Sequence, residues 1–153
     1  MATRSRIALQ LEDGSIVSVY NHWDGYPAGV GFTLVANYIR DLEKLAASIA
    51  LGNSSSFGAH YLPRGEHSFN SPENDVTVFY GRDRGEENQG PEVYADYEDF
   101  ADNWNIAGEE FAYLVKQNGT VDVFSRYGET VVDGAEYILR ETADMYARIK
   151  EMA

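Results

Sequence analysis

The stretch IALQLEDGSIVSVY, residues 7–20, decides the first part of the fold. Its two ends, 7–11 and 16–20, are rich in residues that favour β-strands. The Asp13-Gly14 pair between them tolerates the positive φ that a tight hairpin turn requires. The stretch therefore predicts a β-hairpin.

The same arrangement returns near the other end of the chain, where the β-prone runs 111–116 and 121–125 flank an Asn118-Gly119 turn. Each hairpin then leads into a helical pattern. Aligning the two turns gives an offset of 105 residues. Two explanations are open. The segments 7–52 and 111–150 are an internal pseudo-repeat, or an ordinary motif recurs by chance.

Apolar residues recur every three or four positions after each hairpin, which is typical of helices that pack on a sheet. The first stripe predicts a helix with a break near Arg40-Asp41, because Asp41 can cap a second helix, and with an end at Gly52. The second stripe predicts a helix that begins close to Asp133.

The middle of the chain alternates apolar side chains over 75–80, a predicted strand, and Asp96 is placed to cap a short helix. The segments 53–74 and 81–91 carry most of the Gly, Pro, Ser and Asn residues and are predicted loops. We therefore predict a single α+β domain over 1–153. Its antiparallel or mixed sheet is built from two β-hairpins plus a middle strand, with helices packed on one face.

Composition excludes several classes of function. The 153 residues contain no cysteine, so a disulfide scaffold, a thiol nucleophile, a zinc ribbon and an iron–sulfur cluster are excluded. The net charge of −13 argues against direct nucleic-acid binding by a basic surface. No run of 18 apolar residues occurs, so we expect no membrane association, no signal peptide and a cytoplasmic location.

The most unusual local sequence is the hexapeptide HWDGYP, residues 22–27, directly after the second strand. His22 can exchange a proton near neutral pH, and a strand that feeds a helix N-terminus favours an anionic ligand. We predict a ligand site with the side chains His22, Trp23, Asp24 and Tyr26, and with Arg82 and Arg84 as anion partners. The alternatives are a simple turn with buried rings, and arginines that neutralise the adjacent acids.

No catalytic signature is present, and no cofactor is expected. The spacing of His60 and His67 matches no metal-binding pattern, so we predict two solvated loop histidines and no metal site.

Residues 86–102 contain seven acids and no lysine or arginine, with aromatic residues between them. An acidic surface with aromatic anchors can dock on a basic partner, since charge speeds the encounter and buried rings add affinity. The predicted contact residues are Tyr94, Tyr97, Glu98, Asp99 and Phe100. The alternative is a solvated acidic face.

The hexapeptide, together with Glu12-Asp13-Gly14-Ser15 and Gly29-Val30-Gly31, resembles a group of small accessory proteins of tailed bacteriophages and prophages. The resemblance covers roughly residues 4–56 and implies a phage protein that works in the cytoplasm of the infected bacterium. It assigns no catalytic residue.

Three hypotheses of function follow from these observations. The first is a non-enzymatic accessory protein that binds and modulates a bacterial host macromolecule through its acidic aromatic surface. The second is a nucleotide or small-molecule binding protein, or an enzyme, that uses the loop at 22–26. The third is a homo-oligomer held by exposed tyrosines.

Overall fold

The computed structural model describes residues 2–152. The strands are β1 (Ser5–Gln10), β2 (Ile16–Asn21), β3 (Ser54–Ser56), β4 (Val78–Phe79), β5 (Glu92–Tyr94), β6 (Phe111–Val115) and β7 (Val121–Ser125). The helices are α1 (Phe32–Asn37), α2 (Leu42–Ala50), α3 (Tyr80–Arg84), α4 (Tyr97–Asn103) and α5 (Ala135–Met152), and a π-helical turn at Pro27–Gly31 precedes α1.

The seven strands form one mixed sheet in the order β4-β3-β2-β1-β6-β7, and β5 pairs with the outer edge of β2 beside β3. The two central strands, β1 and β6, run parallel, and each pairs antiparallel with its own hairpin partner. The prediction of an α+β fold with a mixed sheet is confirmed. None of the helices in residues 2–152 has the length and apolar content needed to cross a membrane.

Both predicted hairpins are confirmed. Gly14 and Gly119 adopt φ values of +90° and +82° in their turns, a backbone conformation that residues with a Cβ rarely adopt. In each turn a side-chain oxygen accepts the backbone N–H two residues ahead: Asp13 accepts that of Ser15 at 2.9 Å, and Asn118 accepts that of Thr120 at 3.1 Å.

The predicted helix boundaries are also confirmed. Asp41 separates α1 from α2, and its carboxylate accepts the backbone N–H of Lys44 at 3.1 Å. The helix α2 ends just before Gly52, which has φ of +94°. Asp96 caps α4 in the same way, accepting the N–H of Asp99 at 2.9 Å.

The helices cover both faces of the sheet, where helices on a single face were predicted. The π-helical turn, α1, α2 and α5 cover one face, with Val30, Leu34 and Ile138 in that core. The opposite face, called here the α4 face, is covered by α4, whose Phe100 packs on Phe124 with ring centroids 5.4 Å apart. Both faces are apolar because β1, β6 and β7 bury residues in both directions.

The middle strand is shorter than predicted, since only Val78 and Phe79 form β4. The carboxylate of Asp83 accepts the backbone N–H of Phe79 at 2.9 Å, which turns the chain into α3 at the position where a longer strand would continue. The short strands β3 and β5 lie in segments without an alternating apolar pattern, and the prediction missed them.

The two hairpins have related positions in the sheet, and the helices that follow them do not. Because β1 and β6 are parallel neighbours, a two-fold axis that exchanges the hairpins must run along the strands and exchange the faces of the sheet. Ile16 and Val121, which the offset aligns, do face opposite cores. The helices that follow, α1 and α5, nevertheless pack on the same face. The axis that relates the two hairpins therefore does not relate the two helices, and the internal pseudo-repeat of 7–52 and 111–150 stays an alternative to chance recurrence.

Candidate functional site

The register of the four central strands aligns four polar side chains at one end of the sheet. Ser5 of β1 pairs with Asn21 of β2 and with Phe111 of β6, which pairs with Ser125 of β7. One residue beyond these pairs lie, in spatial order, His22, Arg4, Glu110 and Arg126. Neighbours in one row of a sheet point to the same face, and the row extends for roughly 14 Å, three strand spacings.

Backbone hydrogen bonds hold this row rigidly. The N–H of Glu110 donates to the carbonyl of Arg4 at 2.9 Å, and the N–H of Arg126 donates to the carbonyl of Glu110 at 3.0 Å. On the other side, the N–H of His22 donates to the carbonyl of Ser54 at 3.1 Å. The ladder therefore extends one residue past the strand ends and fixes the backbone that carries these four side chains.

An open cleft of about 580 Å³ lies over this row, on the α4 face. We call it the sheet-end cleft, and its side chains are Arg4, His22, Trp23, Glu110, Arg126 and Tyr127. The rings of Trp23 and Tyr127 are 44% and 68% exposed and follow the two ends of the row. The volume is within the range of sites for small molecules.

The two arginines of the cleft have no acidic partner. Within residues 2–152 neither Arg4 nor Arg126 forms an ion pair, whereas Arg6, Arg64, Arg82 and Arg84 each do. Glu110 stands between them in the row, but its carboxylate accepts a short hydrogen bond from the hydroxyl of Tyr127. That hydrogen bond also raises the pKa of Tyr127. With His22 neutral the row carries a net charge of +1 in a protein of −13.

His22 is oriented by its neighbours. Its Nδ1 lies 2.8 Å from the hydroxyl of Tyr20, and its ring stands perpendicular to that of Trp23 with centroids 4.7 Å apart. Burial, and then the charge of Arg4, lower the pKa of His22 from its ordinary 6.5. At neutral pH the imidazole is therefore uncharged, and when Tyr20 donates to Nδ1 the proton on Nε2 is available for a ligand acceptor.

Asp24 and Tyr26 do not line the cleft, so the structure does not bring these two predicted site residues together with His22 and Trp23. Asp24 turns the chain with φ of +58°, and its carbonyl accepts the N–H of Val30 at 2.9 Å. The hydroxyl of Tyr26 donates to the carboxylate of Asp24 at 3.2 Å. The N–H of Gly29 also has a backbone acceptor, so the predicted anion site at this helix start is already filled by the chain itself.

Arg82 and Arg84 are not anion partners of the cleft, because carboxylates already neutralise both. The guanidinium of Arg82 donates to both oxygens of Asp83, at 2.9 and 3.1 Å, and to the carbonyl of Thr77 at 3.1 Å. Arg84 donates to Glu86 at 2.6 Å and lies 4.2 Å from the centroid of the Phe69 ring. The alternative of self-neutralised arginines is the correct one.

His67 is buried, where a solvated loop histidine was predicted. Its Nε2 lies 3.1 Å from the carboxylate of Asp83, and its Nδ1 accepts the N–H of Glu73 at 3.0 Å. Burial raises the pKa of Asp83, but hydrogen bonds from Arg82, Phe79 and His67 outweigh it and hold that pKa below its usual value. Both nitrogens of His67 are engaged, so this cluster anchors the loop and leaves no base for catalysis.

No group of three or more metal-ligating side chains occurs within residues 2–152.

The helix α4 lies inside the acidic stretch at 86–102 and divides its residues between the core and the surface. Tyr94 and Phe100 lie in the core with ring centroids 5.0 Å apart, so the prediction that they contact a partner is wrong. Tyr97 is half-buried, Glu98 is exposed, and the carboxylate of Asp99 accepts the N–H of Ala95 at 2.9 Å.

Sequence reasoning missed Arg4, Glu110, Arg126 and Tyr127 as site residues. The signal was the offset of 105 residues between the hairpins, which aligns Tyr127 with His22. Both hairpins thus end in polar and aromatic residues at matching positions. Pairing β1 with β6 would then have placed Arg4 and Arg126 on one row.

A comparison with known proteins finds no matching family model, no similar curated protein and no similar solved structure. The resemblance to phage accessory proteins stays a prediction.

Proposed function

We propose that this protein binds a small anionic ligand with a planar ring, of the mononucleotide class, in the sheet-end cleft. The observation that supports the proposal is the convergence of two arginines without acidic partners on a cleft beside an exposed indole. Guanidinium groups bind phosphate through paired hydrogen bonds, and an exposed indole offers a face on which a base stacks. The Nε2–H of His22 adds a hydrogen-bond donor between the arginines and the indole.

The arrangement favours binding over catalysis. Glu110, the one carboxylate of the cleft, is engaged by Tyr127, and His22 is held by Tyr20. Among residues 2–152, none that lines the cleft is a nucleophile with an adjacent base. The ligand is therefore held and released unchanged.

Trp23 provides a direct readout, since the second tryptophan, Trp104, is buried at the C-terminal end of α4 against Phe124. Titration with AMP, ATP and inorganic phosphate should quench the emission of Trp23 for the nucleotides and leave it nearly unchanged for phosphate alone. Arg4→Ala and Arg126→Ala should each weaken nucleotide binding about tenfold, the effect of one charge-assisted hydrogen bond.

Arg148→Ala is the matched control, because Arg148 is an exposed arginine of α5 that does not line the cleft. Its affinity for the nucleotide should equal that of the wild type. Absence of quenching by any nucleotide at millimolar concentration would refute the proposal, as would an equal loss of affinity in the Arg148→Ala control.

A second candidate function is binding of a basic host protein in an infected bacterium through the acidic residues around α4. The observation that favours it is the run of exposed acids Asp96, Glu98 and Asp102 at α4, with no lysine or arginine between residues 86 and 102. A surface of one charge sign speeds the encounter with a partner of the opposite sign. Glu98→Lys with Asp102→Lys should abolish salt-sensitive capture of a lysate protein, and an unchanged capture would exclude this surface.

A further inference from the structure

The helix α5 carries an exposed stripe that its own protein does not cover. It is 18 residues, about 27 Å, long, and only Ile138 among its side chains is fully buried. The side chains of Glu136, Leu139, Ala143, Tyr146 and Lys150 follow one another at alternating steps of three and four residues. They therefore lie on one face of the helix, and all five are exposed.

The stripe has an apolar middle and opposite charges at its ends. Leu139 and Tyr146 are 47% and 69% exposed, which is costly for two large side chains on one helix face. Glu136 and Lys150 each lie seven residues from Ala143, one on either side. Neither forms an ion pair within the described part of the chain. The stripe is thus complementary in charge to the same stripe on a second helix that runs in the opposite direction.

We propose that α5 is a dimer interface, in which it packs antiparallel against α5 of a second copy of this chain. A two-fold axis through the two Ala143 side chains places Glu136 of each copy beside Lys150 of the other, and Leu139 beside Tyr146. The small Ala143 at the crossing allows the helices to approach closely. A parallel pair would oppose Glu136 to Glu136, so the charges select the antiparallel one.

The charge distribution of the whole protein supports a second copy at this surface. α5 has three basic and four acidic side chains, so almost all of the net charge of −13 lies elsewhere. Two copies that meet through α5 therefore avoid most of their mutual repulsion. The interface also leaves the sheet-end cleft on the opposite face of the sheet open, because α5 packs on the face away from α4.

Analytical ultracentrifugation over a concentration series tests the interface. The wild type should sediment as a dimer, and Leu139→Glu with Tyr146→Glu should sediment as a monomer with unchanged circular dichroism, because both positions are exposed. Glu136→Lys and Lys150→Glu should each raise the dimer dissociation constant about tenfold, since each creates two repulsive pairs. The double variant that carries both reversals should restore the affinity of the wild type.

Asp144→Lys is the matched control, because it changes the net charge by the same amount outside the stripe. It should leave the dissociation constant within about twofold of the wild type. A monomer at every concentration would overturn the proposal, and so would a dimer that persists in the Leu139→Glu, Tyr146→Glu variant. Failure of the double reversal to restore dimerisation would overturn the antiparallel arrangement.

Discussion

Two pairs of arginines occupy contrasting environments in this protein. Arg82 and Arg84 lie two residues apart in α3, and the acids beside them in the chain, Asp83 and Glu86, neutralise both. Arg4 and Arg126 are 122 residues apart in the chain. They share a row only because β1 and β6 lie side by side, and no carboxylate in the described chain pairs with either. The arginines of the first pair thus hold the loop around α3 together, and those of the second pair have no carboxylate partner within residues 2–152 and are the proposed anion contacts.

The largest effect should come from breaking the neutralised pair. Asp83→Ala removes the acceptor of Arg82, of His67 and of the N–H of Phe79 at once. We expect it to lower the free energy of unfolding by about 2–3 kcal/mol, because buried donors are left without partners. Urea denaturation followed by circular dichroism measures the change.

Glu86→Ala is the control, since it removes the half-exposed partner of Arg84. That change should cost less than about 1 kcal/mol. An equal cost for the two substitutions would mean that Asp83 does not organise the loop around α3.

A smaller effect should appear in the pH dependence of ligand binding at His22. Burial lowers the pKa of His22 in the unliganded protein, and an anion in the cleft should raise it again by stabilising the imidazolium. The group then gains a proton on binding, so affinity should increase as the pH falls through the pKa values of His22, by about fivefold between pH 7.5 and 5.5.

His22→Gln keeps a donor at this position and removes the titration. Its affinity should change with pH only as the phosphate of the nucleotide titrates, which affects both proteins alike. Calorimetric titration of AMP at the two pH values gives the ratio. Identical pH profiles for His22→Gln and the wild type would show that His22 does not contact the anion.

The parts of the fold that local sequence determines were predictable. Asp-Gly and Asn-Gly pairs specify turns whatever surrounds them, and Asp41 and Asp96 cap helices through bonds to residues three positions away. The face on which α4 packs was not predictable, because β6 and β7 bury apolar side chains on both faces and leave either one able to accept a helix.

The candidate site likewise has one part that local sequence predicts and another that depends on strand pairing. The hexapeptide at 22–27 pointed to the corner of the molecule where His22 and Trp23 line the sheet-end cleft, because its turn residues and rings can be read from the sequence. The partners of His22 depend on the pairing of β1 with β6, a contact between residues more than 100 positions apart. Local patterns carry no information on such a pairing. They therefore favour Arg82 and Arg84, the nearest arginines after a predicted strand, over Arg4 and Arg126.

The most direct test is a nuclear magnetic resonance titration that follows the Nε–Hε signals of the arginines, assigned by single arginine-to-lysine variants. Addition of AMP should shift the signals of Arg4 and Arg126 and leave those of Arg82 and Arg84 in place. Shifts confined to Arg82 and Arg84, or no shift of any arginine signal at saturating nucleotide, would contradict the assignment of the sheet-end cleft as an anion-binding site.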